Sequence, residues 1–172
     1  MPQFPQEAPF RLLTDQAAGC GICIGDFDLD GNPDVYLTHY DRGNRLYRNM
    51  GDWRFVDVTD QAGVGGKGRW CAGAVFTDID NDGDLDLFVC AFNAPNLLYI
   101  NEGQGRFRER ARDHGLDFSG ASVMMTFADY DLDGDMDGYL VTHRLNTGRM
   151  AKLPKSSKEA FQRGLIQVNP QR

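Results

Sequence analysis

The sequence lacks any long apolar run, and no segment approaches the roughly 18 consecutive apolar residues that a membrane-spanning helix requires. It has only three histidines, and no Ser, His and Asp constellation or phosphate-binding glycine loop marks an active site. Hydrophobic residues make up 41% of the 172 residues and 20 are glycine, a composition typical of a turn-rich β protein. We therefore expect a β fold with no membrane span and no enzyme activity of its own.

Cysteine is also scarce, with four residues in the chain. Cys20 and Cys23 have the spacing of a redox or zinc motif, but they lie in a predicted strand, where residues three apart are roughly 10 Å distant and face opposite sides. No second pair completes a zinc site, and Cys71 and Cys90 lie on adjacent predicted strands without clearly facing each other. We expect buried free thiols.

One aspartate-rich pattern of nine residues, D-x-D-x-D-G-x-x-D, occurs three times, at 26–34, 78–86 and 129–137. The copies start 52 residues (78 minus 26) and 51 residues (129 minus 78) apart, which indicates a repeating structural unit. Carboxylates at alternate positions converge only if the chain curls around a central point. The glycine shared by the copies, at Gly31, Gly83 and Gly134, permits that tight bend.

Converging carboxylates repel one another unless a cation lies between them, and hard oxygen ligands favour calcium over zinc or magnesium. By analogy with other oxygen-ligand loops, positions 1, 3, 5 and 9 supply side chains and position 7 supplies a backbone carbonyl. The expected side-chain ligands are Asp26, Asp28, Asp30 and Asp34, then Asp78, Asp80, Asp82 and Asp86, then Asp129, Asp131, Asp133 and Asp137. The expected main-chain ligands are Asn32, Asp84 and Asp135, and we expect the Asp84 side chain to be exposed. The sequence predicts about three calcium ions; the alternative is a set of solvated acidic turns.

An EF-hand loop begins in the same way but requires a glutamate at its twelfth position and a helix on each side. The corresponding residues here are Leu37, Val89 and Leu140, and strand-like runs follow each loop. Paired carboxylates also occur in glycosidases, but a metal-bound carboxylate is held ionised and makes a poor general acid. Both alternatives fail on the residues present.

The repeat extends beyond the loops, because 44–51 and 96–103 share the pattern Asn-x-Leu-Tyr-x-Asn-x-Gly. Each unit is predicted to hold four short strands, which in the second unit lie at 73–77, 87–91, 96–100 and 106–111. Four antiparallel strands recurring about every fifty residues indicate propeller blades. We expect an all-β segment of a β-propeller, with about two full blades and parts of two others.

The expected boundaries are blade 1 at 19–66, blade 2 at 67–118 and a partial blade 3 at 119–143. Residues 1–18 match the last strand of a preceding blade, and residues 144–172 form a basic insertion or tail with a possible short helix at 157–165. A propeller closes with roughly four to eight blades. We therefore expect the remaining blades to come from the same longer chain or from self-association.

The segments 73–89, 96–103 and 55–63 together resemble the FG-GAP/VCBS repeat family, the calcium-binding blades also found in integrin alpha subunits. They look most like the subgroup whose longer members end in an ASPIC/UnbV domain, and the resemblance covers about residues 10–143. It implies a seven-bladed, calcium-stabilised propeller used as a scaffold or for binding and adhesion, with an unknown protein or glycan as ligand. A carbohydrate-binding propeller, or an accessory domain of an exported enzyme whose active site lies elsewhere, remain alternatives.

The net charge of −7 reflects the loops, which hold 14 of the 25 acidic residues, four in the first and five in each of the others. Three calcium ions would bring the net charge to −1, so the acidity indicates metal binding, and we expect no nucleic-acid partner. No signal peptide is visible at the start of the sequence. Extracellular calcium modules bind at about 0.1–1 mM, a concentration that the cytosol does not reach, so we expect an extracytoplasmic location.

Overall fold

The computed structural model describes residues 20–143, which form an all-β fold of antiparallel sheets, as predicted. The predicted strand within 1–18, the basic tail at 144–172 and its helix lie outside the described residues. Blade 1 contains β1 (Ile22–Gly25), β2 (Asp34–Leu37), β3 (Arg45–Asn49) and β4 (Phe55–Asp57). Blade 2 contains β5 (Cys71–Thr77), β6 (Asp86–Pro95), β7 (Leu97–Asn101) and β8 (Phe107–Glu109). The partial blade 3 contains β9 (Ser119–Ala128) and β10 (Asp137–Thr142).

Within each blade, strands that follow one another in the chain pair side by side in an antiparallel meander. A short helix, α1 (Thr59–Ala62), and a 3-10 turn (Gly66–Gly68) connect blade 1 to blade 2. Gly63 ends α1 in the left-handed conformation, and its N–H bonds back to the Thr59 carbonyl. No helix within residues 20–143 is long and apolar enough to cross a membrane.

Three strands of blade 2 differ from their predicted lengths, and β5 begins two residues early, at Cys71. β6 runs on to Pro95, four residues past its expected end, because Phe92, Ala94 and Pro95 pair with β9 of the next blade. β8 covers only Phe107–Glu109 because the chain turns directly afterwards, with the N–H of Asp113 bonded to the Arg110 carbonyl. The extension of β6 arises from pairing between blades, which the spacing within one repeat does not reveal.

The core lies between blades rather than inside one of them. Alternate residues of β6 face opposite sides, so that Leu87 and Val89 pack toward blade 1 while Phe88 and Cys90 pack toward blade 3. The first core cluster, between blades 1 and 2, contains Phe27, Tyr36, Leu46, Ala62, Val64, Cys71, Leu87, Val89, Leu97 and Tyr99. The second core cluster, between blades 2 and 3, contains Ile79, Phe88, Cys90, Leu98, Ala111, Leu116, Met125 and Leu140. Both faces of blade 2 are therefore covered.

The first strands of successive blades approach so closely that glycine is required where they meet. A Cβ atom on Gly73 would collide with the carbonyl oxygen of Val123 in β9, and one on Gly21 would collide with that of Ala72 in β5. Beside Gly21, the Thr38 hydroxyl donates to the same Ala72 carbonyl. These contacts hold the inner edges of the three blades together.

All four cysteines are free, as predicted, but they are not all buried. Cys71 and Cys90 are buried, Cys23 is half-buried, and Cys20 is exposed because it lies before β1 and outside the strand predicted for it. Cys71 pairs across the sheet with Ala91, so Cys71 and Cys90 project to opposite faces of blade 2. This geometry accounts for the absence of a bond between them.

Candidate metal sites

Each aspartate loop forms the turn between the first and second strands of its blade: 26–34 joins β1 to β2, 78–86 joins β5 to β6, and 129–137 joins β9 to β10. The shared glycine has a positive φ in all three, at 89° for Gly31 and 94° for both Gly83 and Gly134, as the tight bend requires. The fourth loop position is also left-handed, with φ near 60° at Leu29, Asn81 and Leu132. This second left-handed position was not predicted from the sequence, because the first and third loops place leucine there, and leucine rarely adopts a positive φ.

The first aspartate of each loop fixes the turn by accepting two backbone N–H groups. Asp26 accepts from Asp30 at 3.1 Å and from Gly31 at 2.8 Å. The equivalent pairs of bonds are 3.1 and 3.0 Å for Asp78, and 3.1 and 3.1 Å for Asp129. The loop shape is therefore built from hydrogen bonds within the chain.

The ninth aspartate ties the loop to the rest of its blade. Asp86, fully buried, accepts the N–H of Ile79 at 2.9 Å and, across to β7, that of Asn101 at 2.8 Å. Asp34 accepts the equivalent groups in blade 1, from residue 27 at 3.1 Å and from residue 49 at 2.7 Å. Asp137 accepts the N–H of Tyr130 at 2.9 Å. This aspartate is thus both a candidate ligand and a structural anchor.

The carboxylates at positions 1, 3 and 9 converge in every loop, with one oxygen from each lying within 4.8 Å of the others. The groups are Asp26, Asp28 and Asp34, then Asp78, Asp80 and Asp86, then Asp129, Asp131 and Asp137. The fifth-position aspartates, Asp30, Asp82 and Asp133, do not belong to these groups. Each instead accepts the backbone N–H of the seventh residue, at 2.9 to 3.1 Å.

The seventh residues differ in their side chains. The amide of Asn32 donates to Asp30 at 2.9 Å. The expectation that the Asp84 side chain is exposed was wrong: it is half-buried, and its Oδ1 is buried without a hydrogen-bond partner. Asp84 lies close to the carboxylates of its own loop, which sequence spacing alone did not indicate.

The close packing of the loop carboxylates is reflected in the raised pKa values of several aspartates. Burial raises the pKa of Asp86 to about 7, against the lowering effect of its two backbone hydrogen bonds, and raises the pKa of Asp34 to about 6. Burial and then the neighbouring carboxylates raise the pKa of Asp84 to about 6. The pKa values of Asp28 and of Asp80 are also raised, chiefly by partial loss of solvent, although Asp80 remains exposed at the surface. A cation would relieve this cost of keeping the loops ionised.

The donor set fits calcium. Every converging atom is a hard carboxylate oxygen, and Oδ1 of Asp28, like that of Asp84, is a buried acceptor with no hydrogen-bond partner. Calcium accepts irregular arrangements of such oxygens, whereas magnesium requires a near-ideal octahedron. The positions that would hold it are 1, 3 and 9 of each loop, because these are the ones that the fold brings together.

The family model described as FG-GAP-like repeat matches the chain twice, over residues 26–89 and again over residues 78–140. The chain belongs to the FG-GAP-like repeat family. Each match contains two of the loops, and the matches start 52 residues apart (78 minus 26), which is the spacing of the first two loops. The resemblance predicted from the sequence is confirmed.

This FG-GAP-like chain is also similar to cartilage acidic protein 1 of three vertebrates. It is 28% identical to the Xenopus tropicalis protein over 128 residues, which cover 73% of this chain and 19% of that protein. It is 29% identical to both the human and the mouse proteins over 136 residues, 69% of this chain. The chain thus spans about a fifth of the length of the curated relatives it matches.

Two contacts distinguish the FG-GAP-like loops from one another. Asn81 of the second loop donates from its side-chain amide to the Gly134 carbonyl of the third loop at 3.1 Å, linking neighbouring sites. In the first loop, Arg48 lies against Asp28 and Asp30. Sequence reasoning missed both; the only available signal was the change from Arg48 to Ile100 between the matching segments 44–51 and 96–103.

Proposed function

We propose that this chain is a calcium-binding segment of an FG-GAP-like propeller that acts as an extracytoplasmic scaffold or as a binding and adhesion module. The observation that carries the proposal is the convergence, in three equivalent hairpins, of three carboxylates within 4.8 Å. A calcium ion supplies the positive charge that such a group needs. The role is non-catalytic, in keeping with the type of the family.

The chain's own residues convert ion binding into fold stability. The first aspartate of each loop holds the turn, and the buried ninth aspartate connects it to the third strand, as Asp86 does through Asn101. An ion held by both would join the turn to the body of the blade. Because binding would favour the folded state alone, stability should rise with calcium concentration.

The calcium requirement supports an extracytoplasmic location, since loops of about 0.1–1 mM affinity fill only where calcium is abundant. The name of the relatives refers to cartilage, which agrees with an extracellular setting. We propose an unidentified protein or glycan as the partner.

The exposed end faces of the segment support further blades, from the same longer chain or from a second copy. On β1, Ile22 and Ile24 are 60% and 63% exposed, on the face opposite Cys23, which packs against the first core cluster. At the other end, Met124 and Val141 pair across β9 and β10 and are 58% and 46% exposed. The equivalent residues of blade 2 are covered: Ala74 and Phe76 pack, partly buried, against the first core cluster, and Cys90 is buried in the second. The exposed faces therefore match surfaces that neighbouring blades cover.

A carbohydrate-binding propeller is the second candidate, favoured by a row of aromatic rings at the end of the blades away from the loops. His39 stacks on Tyr40 at 4.9 Å between ring centroids, Tyr40 meets Trp70 at 6.5 Å, and Trp70 meets Phe92 at 4.6 Å. All four rings are half-buried. Aromatic faces bind the C–H faces of sugars, so a glycan array with the protein and its Trp70→Ala variant would test this candidate.

Calorimetric calcium titration of the chelator-stripped protein, with thermal unfolding in parallel, tests the main proposal. We expect about three ions to bind, with a clear rise in the melting temperature. The matched control replaces position 3 of each loop, Asp28→Asn, Asp80→Asn and Asp131→Asn, which keeps the side-chain shape and removes the charge. That variant should fold in chelator and bind no calcium. A folded parent protein that binds none either would overturn the proposal.

A further inference from the structure

The first loop has a cation supplied by the chain itself. Arg48 extends from β3 so that its Nε lies 2.6 Å from Oδ2 of Asp28, and its Nη2 donates to Oδ2 of Asp30 at 3.0 Å. Asp28 is one of the three converging carboxylates, and its side chain is only 11% exposed. The guanidinium is thus held against the candidate site where solvent screens the pair only partly.

The second loop lacks this cation. Aligning the segments 44–51 and 96–103 places Ile100 where Arg48 stands, and Ile100 packs against the second core cluster. Within residues 20–143, Asp80 and Asp82 form no ion pair with lysine or arginine. The first loop also carries one acidic residue fewer, since Asn32 occupies the place of Asp84. Two loops of the same shape therefore differ in charge.

A guanidinium and a calcium ion compete for the same carboxylate oxygens, because both bind through the lone pairs that the oxygens present. A calcium ion near Asp28 would also be repelled by the positive charge of Arg48 at short range. In the second loop no described lysine or arginine competes in this way, and the His114 imidazole acts on Asp80 less than burial and the neighbouring aspartates do. The difference in charge should therefore appear as a difference in calcium affinity between the loops.

We propose that Arg48 is an internal competitor of calcium at the first loop, neutralising Asp28 and Asp30 in the calcium-free protein and yielding to the ion when it binds. The first loop then binds calcium more weakly than the second and needs calcium less for its stability. This inference rests on the proposed function, since it assigns different affinities to the proposed sites.

Arg48→Ile, which introduces the residue of the second unit, tests the inference by calorimetry. We expect calcium affinity to rise about three- to tenfold at one site only, the range of one or two partly screened ion pairs. In chelator the variant should melt at a lower temperature than the parent protein, and in saturating calcium the two should converge. The thermal measurement is independent of the calorimetric one.

Arg45→Ile is the matched control, because Arg45 lies on the same strand and pairs with Asp57 at 3.5 Å, away from the loop. It makes the same change in net charge and should leave every calcium affinity unchanged. A second control places Arg48→Ile in an Asp28→Asn background, where the first loop has lost a ligand. There the substitution should have no effect on the remaining sites.

The outcomes separate the two proposals. If the parent protein is folded and binds no calcium, the proposed function fails. If it binds about three ions but Arg48→Ile leaves all affinities unchanged, only the role of Arg48 fails. An equal gain from Arg45→Ile, or a gain that persists in the Asp28→Asn background, would show a general effect of net charge and would also overturn the inference.

Discussion

Replacing Asn101 with alanine should destabilise the protein more than replacing Asn49, although the two residues occupy the same place in successive blades. Each side chain makes two hydrogen bonds within its own blade. The Asn49 amide donates to the Pro33 carbonyl and its oxygen accepts the N–H of Gly51, and Asn101 forms the equivalent bonds with residues 85 and 103. Asn101 alone makes a further bond, from its amide to the carbonyl of Phe27 in blade 1, at 2.8 Å. The pair of substitutions therefore isolates one hydrogen bond between blades.

The expected loss of stability in each variant follows from how deeply the side chain is buried. Asn101 is 2% exposed, so its loss removes a buried partner of the Phe27 carbonyl, whereas Asn49 is half-buried and its bonds can be replaced by water. Leaving a buried acceptor unsatisfied costs about 1–3 kcal/mol, and a typical hydrogen bond contributes about 1 kcal/mol. We expect Asn49→Ala to cost about 1–2 kcal/mol and Asn101→Ala about 1–3 kcal/mol more.

Urea unfolding of both variants, in saturating calcium and in chelator, measures the difference in the free energy of unfolding. Neither side chain belongs to a converging carboxylate group, so Asn101→Ala should cost more than Asn49→Ala in both conditions. Equal costs for the two substitutions would refute the reasoning, because they would show that the bond between blades contributes nothing beyond the bonds within each blade.

Three further predictions concern the loops and the inner strands. Gly73→Ala should cost about 1–3 kcal/mol in urea unfolding, because its methyl group would force β5 away from Val123; an unchanged stability would contradict this packing. In chelator, the free energy of unfolding should fall as pH rises from about 4 to about 7. The folded-state pKa values of Asp34 and Asp86, about 6 and about 7, exceed their unfolded values, so the folded state loses its extra protons over this range. Urea unfolding at several pH values checks the direction of the change. Asp80→Asn should remove one bound ion in calorimetry yet change stability in chelator by less than about 0.5 kcal/mol, since the residue is exposed; full calcium stoichiometry would refute its role as a ligand.

The sequence was sufficient to predict the all-β fold and the position of the loops because both depend on local, repeated patterns. The glycine of each loop and the strand-like runs beside it determine where the chain turns. Contacts between repeats were not predictable in the same way. The extension of β6 to Pro95 and the amide of Asn81 reaching Gly134 depend on how far one blade lies from the next, which no spacing within a repeat encodes.

The residues of the candidate site were predictable from the sequence. Which aspartates converge and which accept backbone hydrogen bonds was not. Analogy gave positions 1, 3, 5 and 9 equal roles, and the fold places one oxygen from each of positions 1, 3 and 9 within 4.8 Å of the others. The reason is the direction of the backbone amides. Asp82 turns to the N–H of residue 84, while both oxygens of Asp86 accept buried N–H groups. Sequence spacing places the carboxylates near one another but does not show which N–H groups they face.

The second position of the first loop, Phe27, explains why ion binding in blade 1 should affect blade 2. Phe27 extends from the first loop into blade 2, where its ring packs on Phe107 at 5.8 Å and its carbonyl accepts the bond from Asn101. Its own N–H is bonded to Asp34, a candidate ligand. An ion that fixes Asp34 would therefore also fix Phe27 against its neighbour. Stability in a repeat array depends on such interfaces as well as on each unit, so calcium bound at the first loop would stabilise the interface between blades 1 and 2 together with blade 1 itself.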